Sequence, residues 1–141
     1  MYLTAVTEAV YRTLSDCEAL ADVSVIRAYP YVKKPLRMKT PVLCVSPSGV
    51  QASRTALGGE CFMGEYGVDI DLFVPHCHGS PVAETLLEKA AAAACTLGIT
   101  RIRIGAISSE NALDSFTAKC TVTFCAPFNM EEETIWKEQN N

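Results

Sequence analysis

The amino-acid sequence predicts an α+β fold: a single two-layer domain, a mainly antiparallel sheet with two helices packed on one face. Three observations carry that expectation. Tyr66, Val68, Ile70, Leu72 and Val74 alternate with Gly67, Asp69, Asp71 and Phe73, so one face of a strand is apolar and the other holds two carboxylates. Residues 3–20 and 82–97 instead space their apolar side chains by three and four, the period of an amphipathic helix. The chain has 141 residues, 49% hydrophobic and 20% charged, enough for one core and too few for two. The domain is expected over residues 1–126, with 127–141 an acidic, mobile tail whose one large apolar anchor is Trp136.

The elements follow in order. Leu3, Val6, Val10 and Leu14 make one stripe, flanked by Tyr11 and Leu20, and predict a first helix over 3–20. Glu8 within its apolar stretch and the absence of a basic leader argue against a signal peptide. Val23 to Ile26 is a short β-branched run, and the segment through Pro41, with three prolines and four bases, reads as a loop or edge. Pro41 to Val45 predicts another strand, stopped by Ser46-Pro47-Ser48-Gly49. Val50 to Leu57 is then its hairpin partner and Gly58-Gly59 the next turn.

The alternating strand runs from Glu65 to Val74 and ends at Pro75. Ser80 is expected to cap a second helix with Pro81 at its first position. Val82, Leu86, Leu87, Ala90, Ala91, Ala94 and Leu97 are its expected buried stripe, and Gly98 its end. Arg101 to Ile104 and Ser115 to Cys125 alternate as two half-buried antiparallel strands, joined by a polar connector over residues 108–112. The outer sheet face then carries Asp69, Asp71, Arg101, Arg103 and Lys119, with the aspartates expected to pair with Arg101 or Arg103 across the strands.

Charge is unevenly distributed. From Val23 to Gly59 there is no acid, while Arg27, Lys33, Lys34, Arg37, Lys39 and Arg54 are six bases. From Thr55 to Glu88 there is no base, while Glu60, Glu65, Asp69, Asp71, Glu84 and Glu88 are six acids. Such blocks either neutralise each other within one fold or form a head-to-tail contact between identical subunits that closes a ring. On the second reading Lys33, Lys34, Arg37 and Lys39 meet Glu60, Glu65, Asp69 and Asp71 of the next copy.

Chemistry-bearing clusters are few. Cys17, Cys44, Cys61, Cys77, Cys95, Cys120 and Cys125 are an odd number without CxxC spacing, which fits reduced thiols of a cytosolic protein better than a disulfide framework or a four-cysteine zinc site. His76-Cys77-His78 crowds ligand types, but neighbours in an extended loop point apart, so at most His76 and His78 share an ion with the distant Cys61. A Cys77 nucleophile would need a base, an orienting group and an oxyanion hole. Asp69 and Asp71 lie about 7 Å apart by strand rise, within the range of two-carboxylate hydrolases, although any wet alternating strand with acids gives that spacing. Gly58-Gly59 lacks the context of a phosphate loop. The basic stretch 33–39 beside Tyr29 and Tyr31 only weakly suggests a nucleic-acid patch in a chain of pI near 5.1. No catalytic residue, metal or cofactor is therefore expected, and no sequence-specific nucleic acid.

The order of these elements resembles the tail terminator proteins of tailed bacteriophages, also called tail completion or tail-to-head joining proteins. The resemblance covers residues 64–125. A strand of the form Y-x-V-x-[IL]-x-[IL]-x-V corresponds to Tyr66 to Val74, a helix near AExLLxxAxxA to Val82 to Ala94, and an entry phrase D-x-F-x-A to Asp114 to Ala118. The Pro-rich basic region 30–41 does not match. The resemblance implies a structural subunit, without catalysis or cofactor, that forms a homo-oligomeric ring, a hexamer, on the last ring of the tail tube. That ring would stop tube polymerisation and meet the head connector protein, placing the chain in the virion tail after assembly in the host cytoplasm. The alternatives are a head closure or tail tube protein, and a small cysteine- or metal-dependent enzyme using the 75–80 loop.

Overall fold

The computed structural model describes residues 2–27, 40–54, 62–111 and 114–128. In chain order these form α1 (Tyr2–Ser15), β1 (Ser24–Arg27), β2 (Val42–Arg54), β3 (Phe62–Pro75), α2 (Ser80–Cys95), β4 (Arg101–Ile104), β5 (Ser108–Glu110) and β6 (Ser115–Phe128). The strands make one six-stranded sheet in the order β1-β2-β3-β6-β4, with β5 also on β6. Every pairing is antiparallel except β1 with β2, which is parallel. Two helices on a mostly antiparallel sheet are the expected α+β architecture. No helix among the described residues is long and apolar enough to cross a membrane.

β3 sits at the centre because its period of two supplies a full apolar face. Tyr66, Val68, Ile70, Leu72 and Val74 are all at most 3% exposed. Register carries this face sideways: Val45 and Leu43 of β2 stand opposite Ile70 and Leu72, and Cys120 and Val122 of β6 stand opposite Ile70 and Val68. Val6, Val10 and Leu14 of α1 and Ala83, Leu87, Ala90, Ala91 and Ala94 of α2 complete the same core. The small alanines let α2 lie close to the sheet, as dense packing requires.

Several expectations are corrected. The first helix stops at Ser15, and Leu20 reaches the core from a separate 3-10 turn, Glu18–Leu20. Pro41 to Val45 and Val50 to Leu57 do not make a hairpin. Residues 42–54 are one strand that pairs throughout with β3, its register slipping between Pro47 and Gly49. A bulge accommodates a proline, which cannot donate to a ladder, so the apparent stop signal bends the strand instead of ending it. Gly58-Gly59 lies outside the described residues.

On α2, Gly79 rather than Ser80 occupies the capping position, and no side chain caps the helix. Val82 is 37% exposed while Ala83 takes the inward place. Gly98 follows the helix with φ +73°, a left-handed conformation that costs other residues about 1–2 kcal/mol. Residues 108–110 of the expected connector form β5 on the edge of β6. β6 runs past the expected domain boundary at 126 to Phe128, opposite Phe62. The basic segment 28–39 and residues 129–141, with Trp136, lie outside the described residues.

Candidate functional site

The outer sheet face is the mirror image of the core in sequence. Because alternate residues of β3 point inward, Glu65, Asp69 and Asp71 point away from the helices. In the ladder Asp71 stands opposite Lys119 and Asp69 opposite Thr121. Thr121 Oγ1 donates to Asp69 Oδ1 at 2.7 Å. Lys119 Nζ lies 3.9 Å from both Asp69 Oδ2 and Asp71 Oδ1. Arg101 of β4 reaches across β6 to donate to Glu65 Oε1 at 3.1 Å.

The expected partners of the two aspartates are thus corrected from arginine to Lys119. Arg101 stands level with Gly67 through Thr123 and is taken by Glu65, whereas Lys119 stands directly opposite Asp71 on the adjacent strand and, among the described residues, is the cation that reaches both aspartates. Glu65, Asp69 and Asp71 are each half-buried and carry partners within the chain, so a cation arriving from another molecule would share them. Lys33, Lys34, Arg37, Lys39 and Glu60 lie outside the described residues; the other three expected interface residues, Glu65, Asp69 and Asp71, share the outer face of β3. Beside them Gly67, without a side chain, floors a groove of about 310 Å³ lined also by Ser48, Gln51, Glu65, Arg101 and Thr123.

This face is not polar throughout. Val42, Cys44 and Phe73 are buried on it and pack with Ile26. The Cys44 thiol is pushed up to about 11, chiefly by burial and then by the Asp71 charge. On the core side Cys120 is likewise pushed up to about 11, by burial first and then by Cys95 and Asp69. Both are poor nucleophiles, since the thiolate is the reactive form.

A second arrangement lies at the end of β3, and spacing along the chain gave no hint of it. Pro75 stands opposite Ser115, so the next pair outward is His76 and Asp114, and the His76 amide donates to the Asp114 carbonyl at 3.0 Å. Ser109 of β5 stands opposite Phe116 of β6, which brings both within reach of the same imidazole. His76 Nδ1 lies 2.8 Å from Asp114 Oδ1 and Nε2 lies 2.9 Å from Ser109 Oγ. The ring meets Phe116 edge to face at 4.7 Å. A carboxylate only accepts, so Nδ1 carries a proton, and in the neutral imidazole Nε2 then accepts from the Ser109 hydroxyl. Asp114 is the one described non-glycine residue with positive φ, +50°. The partners are 33 and 38 residues from His76, so only the strand register reveals them.

His78 and Cys77 do not join this chain: the 3-10 turn His76–His78 leaves both exposed. Among the described residues no group of three histidines, cysteines or acids is placed to hold a metal. No protein-family model matches the chain, and no curated protein matches its sequence.

Proposed function

We propose that this chain is a structural subunit of a phage tail, a tail terminator that closes the tube as a homo-oligomeric ring and presents a surface to the head connector. The supporting observation is the layered arrangement itself. Both helices lie on one side of the sheet, and among the described residues the outer face carries cross-strand charge pairs around a glycine-floored groove, beside the buried Val42, Cys44 and Phe73. Such a face suits contact with other protein subunits, where paired charges set register and partner choice more than affinity. The sequence resemblance over residues 64–125 names the assembly, and the tail tube and head connector as its partners.

Because Glu65, Asp69 and Asp71 already hold cations, the ring contact draws on Lys33, Lys34, Arg37 and Lys39 as added bases rather than as sole partners. Purified chain mixed with assembling tail tubes should cap them, giving ring-shaped ends by negative-stain microscopy and a length distribution that no longer grows. Lys33→Glu combined with Lys34→Glu should abolish capping. Tubes that keep growing with wild-type protein present would sink the terminator reading, and capping by the double variant would remove these two bases from the contact.

A further inference from the structure

The Ser109, His76 and Asp114 side chains form a continuous hydrogen-bonded chain that the tail-terminator reading does not use. Two distances, 2.9 Å from serine to imidazole and 2.8 Å from imidazole to carboxylate, match what an activated nucleophile requires: a base within hydrogen-bond reach, itself oriented by a third group. We propose that Ser109 is a base-activated nucleophile that accepts acyl groups from small carboxylic esters, with His76 as general base and Asp114 as the residue that positions it.

Four features favour this. Strand register holds the imidazole, since the His76 backbone continues the β3–β6 ladder through Asp114 and the ring rests on Phe116. The His76 side chain is 24% exposed, so its orientation is restrained. Ser109 is exposed on an edge strand that pairs with β6, so its hydroxyl faces solvent-borne reagents. Asp114 fixes the tautomer: with the proton on Nδ1, the Nε2 lone pair faces the Ser109 hydroxyl.

In the acylation step Ser109 Oγ bonds to the ester carbonyl carbon and its proton passes to His76 Nε2. The carbonyl-to-alkoxy bond then breaks, and the alkoxy oxygen leaves with that proton as an alcohol. Water repeats the sequence, giving its proton to His76, and the acid is released as Ser109 recovers its hydrogen. The oxyanion formed at this open strand would be solvated by water, which stabilises it less than preorganised donors do. Turnover is therefore slow, and covalent capture is the proper readout.

The test uses the full chain with a fluorophosphonate probe, which phosphonylates activated serines with loss of fluoride, followed by peptide mass mapping and rates across pH. The expected result is an adduct on Ser109 whose formation speeds up with pH and levels off as the imidazole becomes neutral. Ser109→Ala should remove the adduct, and His76→Gln should slow it roughly a hundredfold, within the range general-base help supplies. Asp114→Asn should slow it across the whole pH range, because an amide can donate to Nδ1 and turn the Nε2 proton toward Ser109. Circular dichroism establishes that each variant is folded, and should His76→Gln unfold, Asp114→Asn decides. Absence of an adduct on Ser109 in the folded wild-type chain, or rates in folded His76→Gln and Asp114→Asn within about twofold of it, overturns the proposal.

Discussion

At the scale of single residues, environment separates side chains of the same type. Cys44 and Cys120 are 6% and 0% exposed, whereas Cys77 and Cys125 are exposed. Alkylation of the folded chain at mildly alkaline pH should therefore modify Cys77 and Cys125 while Cys44 and Cys120 lag by at least about a hundredfold, from their suppressed thiolate alone. Peptide mapping after timed iodoacetamide treatment reads this directly, and equal labelling would show that these thiols are not buried. The same shift has a sign for stability. A thiol whose folded value is about 11 against an ordinary 9.0 contributes fully below 9.0, and that contribution disappears as pH rises through about 11, when the unfolded thiols ionise first. Such effects were not legible in the chain: Cys44 reads as part of an apolar strand, but only the pairing of β2 with β3 puts it opposite Asp71.

Elements show where periodicity sufficed and where it did not. The alternation of 66–74 located β3, its inward face and its neighbours' roles, since a one-residue slip would have turned every apolar side chain to the outer face. Ile70→Ala or Leu72→Ala should cost about 2–5 kcal/mol, as expected for emptying a large side chain in a packed core, while Met63→Ala, exposed on the same strand, should stay within about 0.5 kcal/mol. Denaturant midpoints decide, and equal shifts at 63 and 70 would contradict the assigned face. β2 departs from the expected hairpin because a Pro-Gly cluster ends most strands, and local signals do not reveal that a bulge can keep such a cluster in a ladder. β5 escaped for the opposite reason: Ser108, Ser109 and Glu110 have no strand propensity of their own, and β6 imposes the conformation on them. The His76 chain escaped with it, since without β5 nothing places Ser109 near the end of β3.

For the whole molecule, the sheet order predicts a gradient of local stability. β3 is flanked on both sides by long strands, whereas among the described residues β1 and β4 each pair on one side only. Amide hydrogens of β3 should exchange only through global unfolding, and those of β1 and β4 through cheaper local opening. Residue-resolved hydrogen exchange tests this, and β4 protection equal to that of β3 would refute the gradient. The class of fold was legible at this scale because one core, two helical stripes and several alternating runs have few solutions. The parallel pairing of β1 with β2 was not legible, since their register depends on how the chain returns from Arg27 to Val42.

The pairing of β3 with β6 also orders events in time. Phe62 pairs with Phe128 and Pro75 with Ser115, so the two central strands are separated by all of α2, β4 and β5. On the ribosome, β2 and β3 emerge early and close as a local hairpin, while the far edge of β3 waits for a partner synthesised last. Through that interval a nascent chain presents an unsatisfied central edge, while α1 and then α2 can already cover the apolar face, and that open edge is the feature that leads to pairing with a neighbouring copy on a crowded polysome. Slow translation between residues 76 and 114 would lengthen that exposure, and yield of correctly folded chain should fall with it.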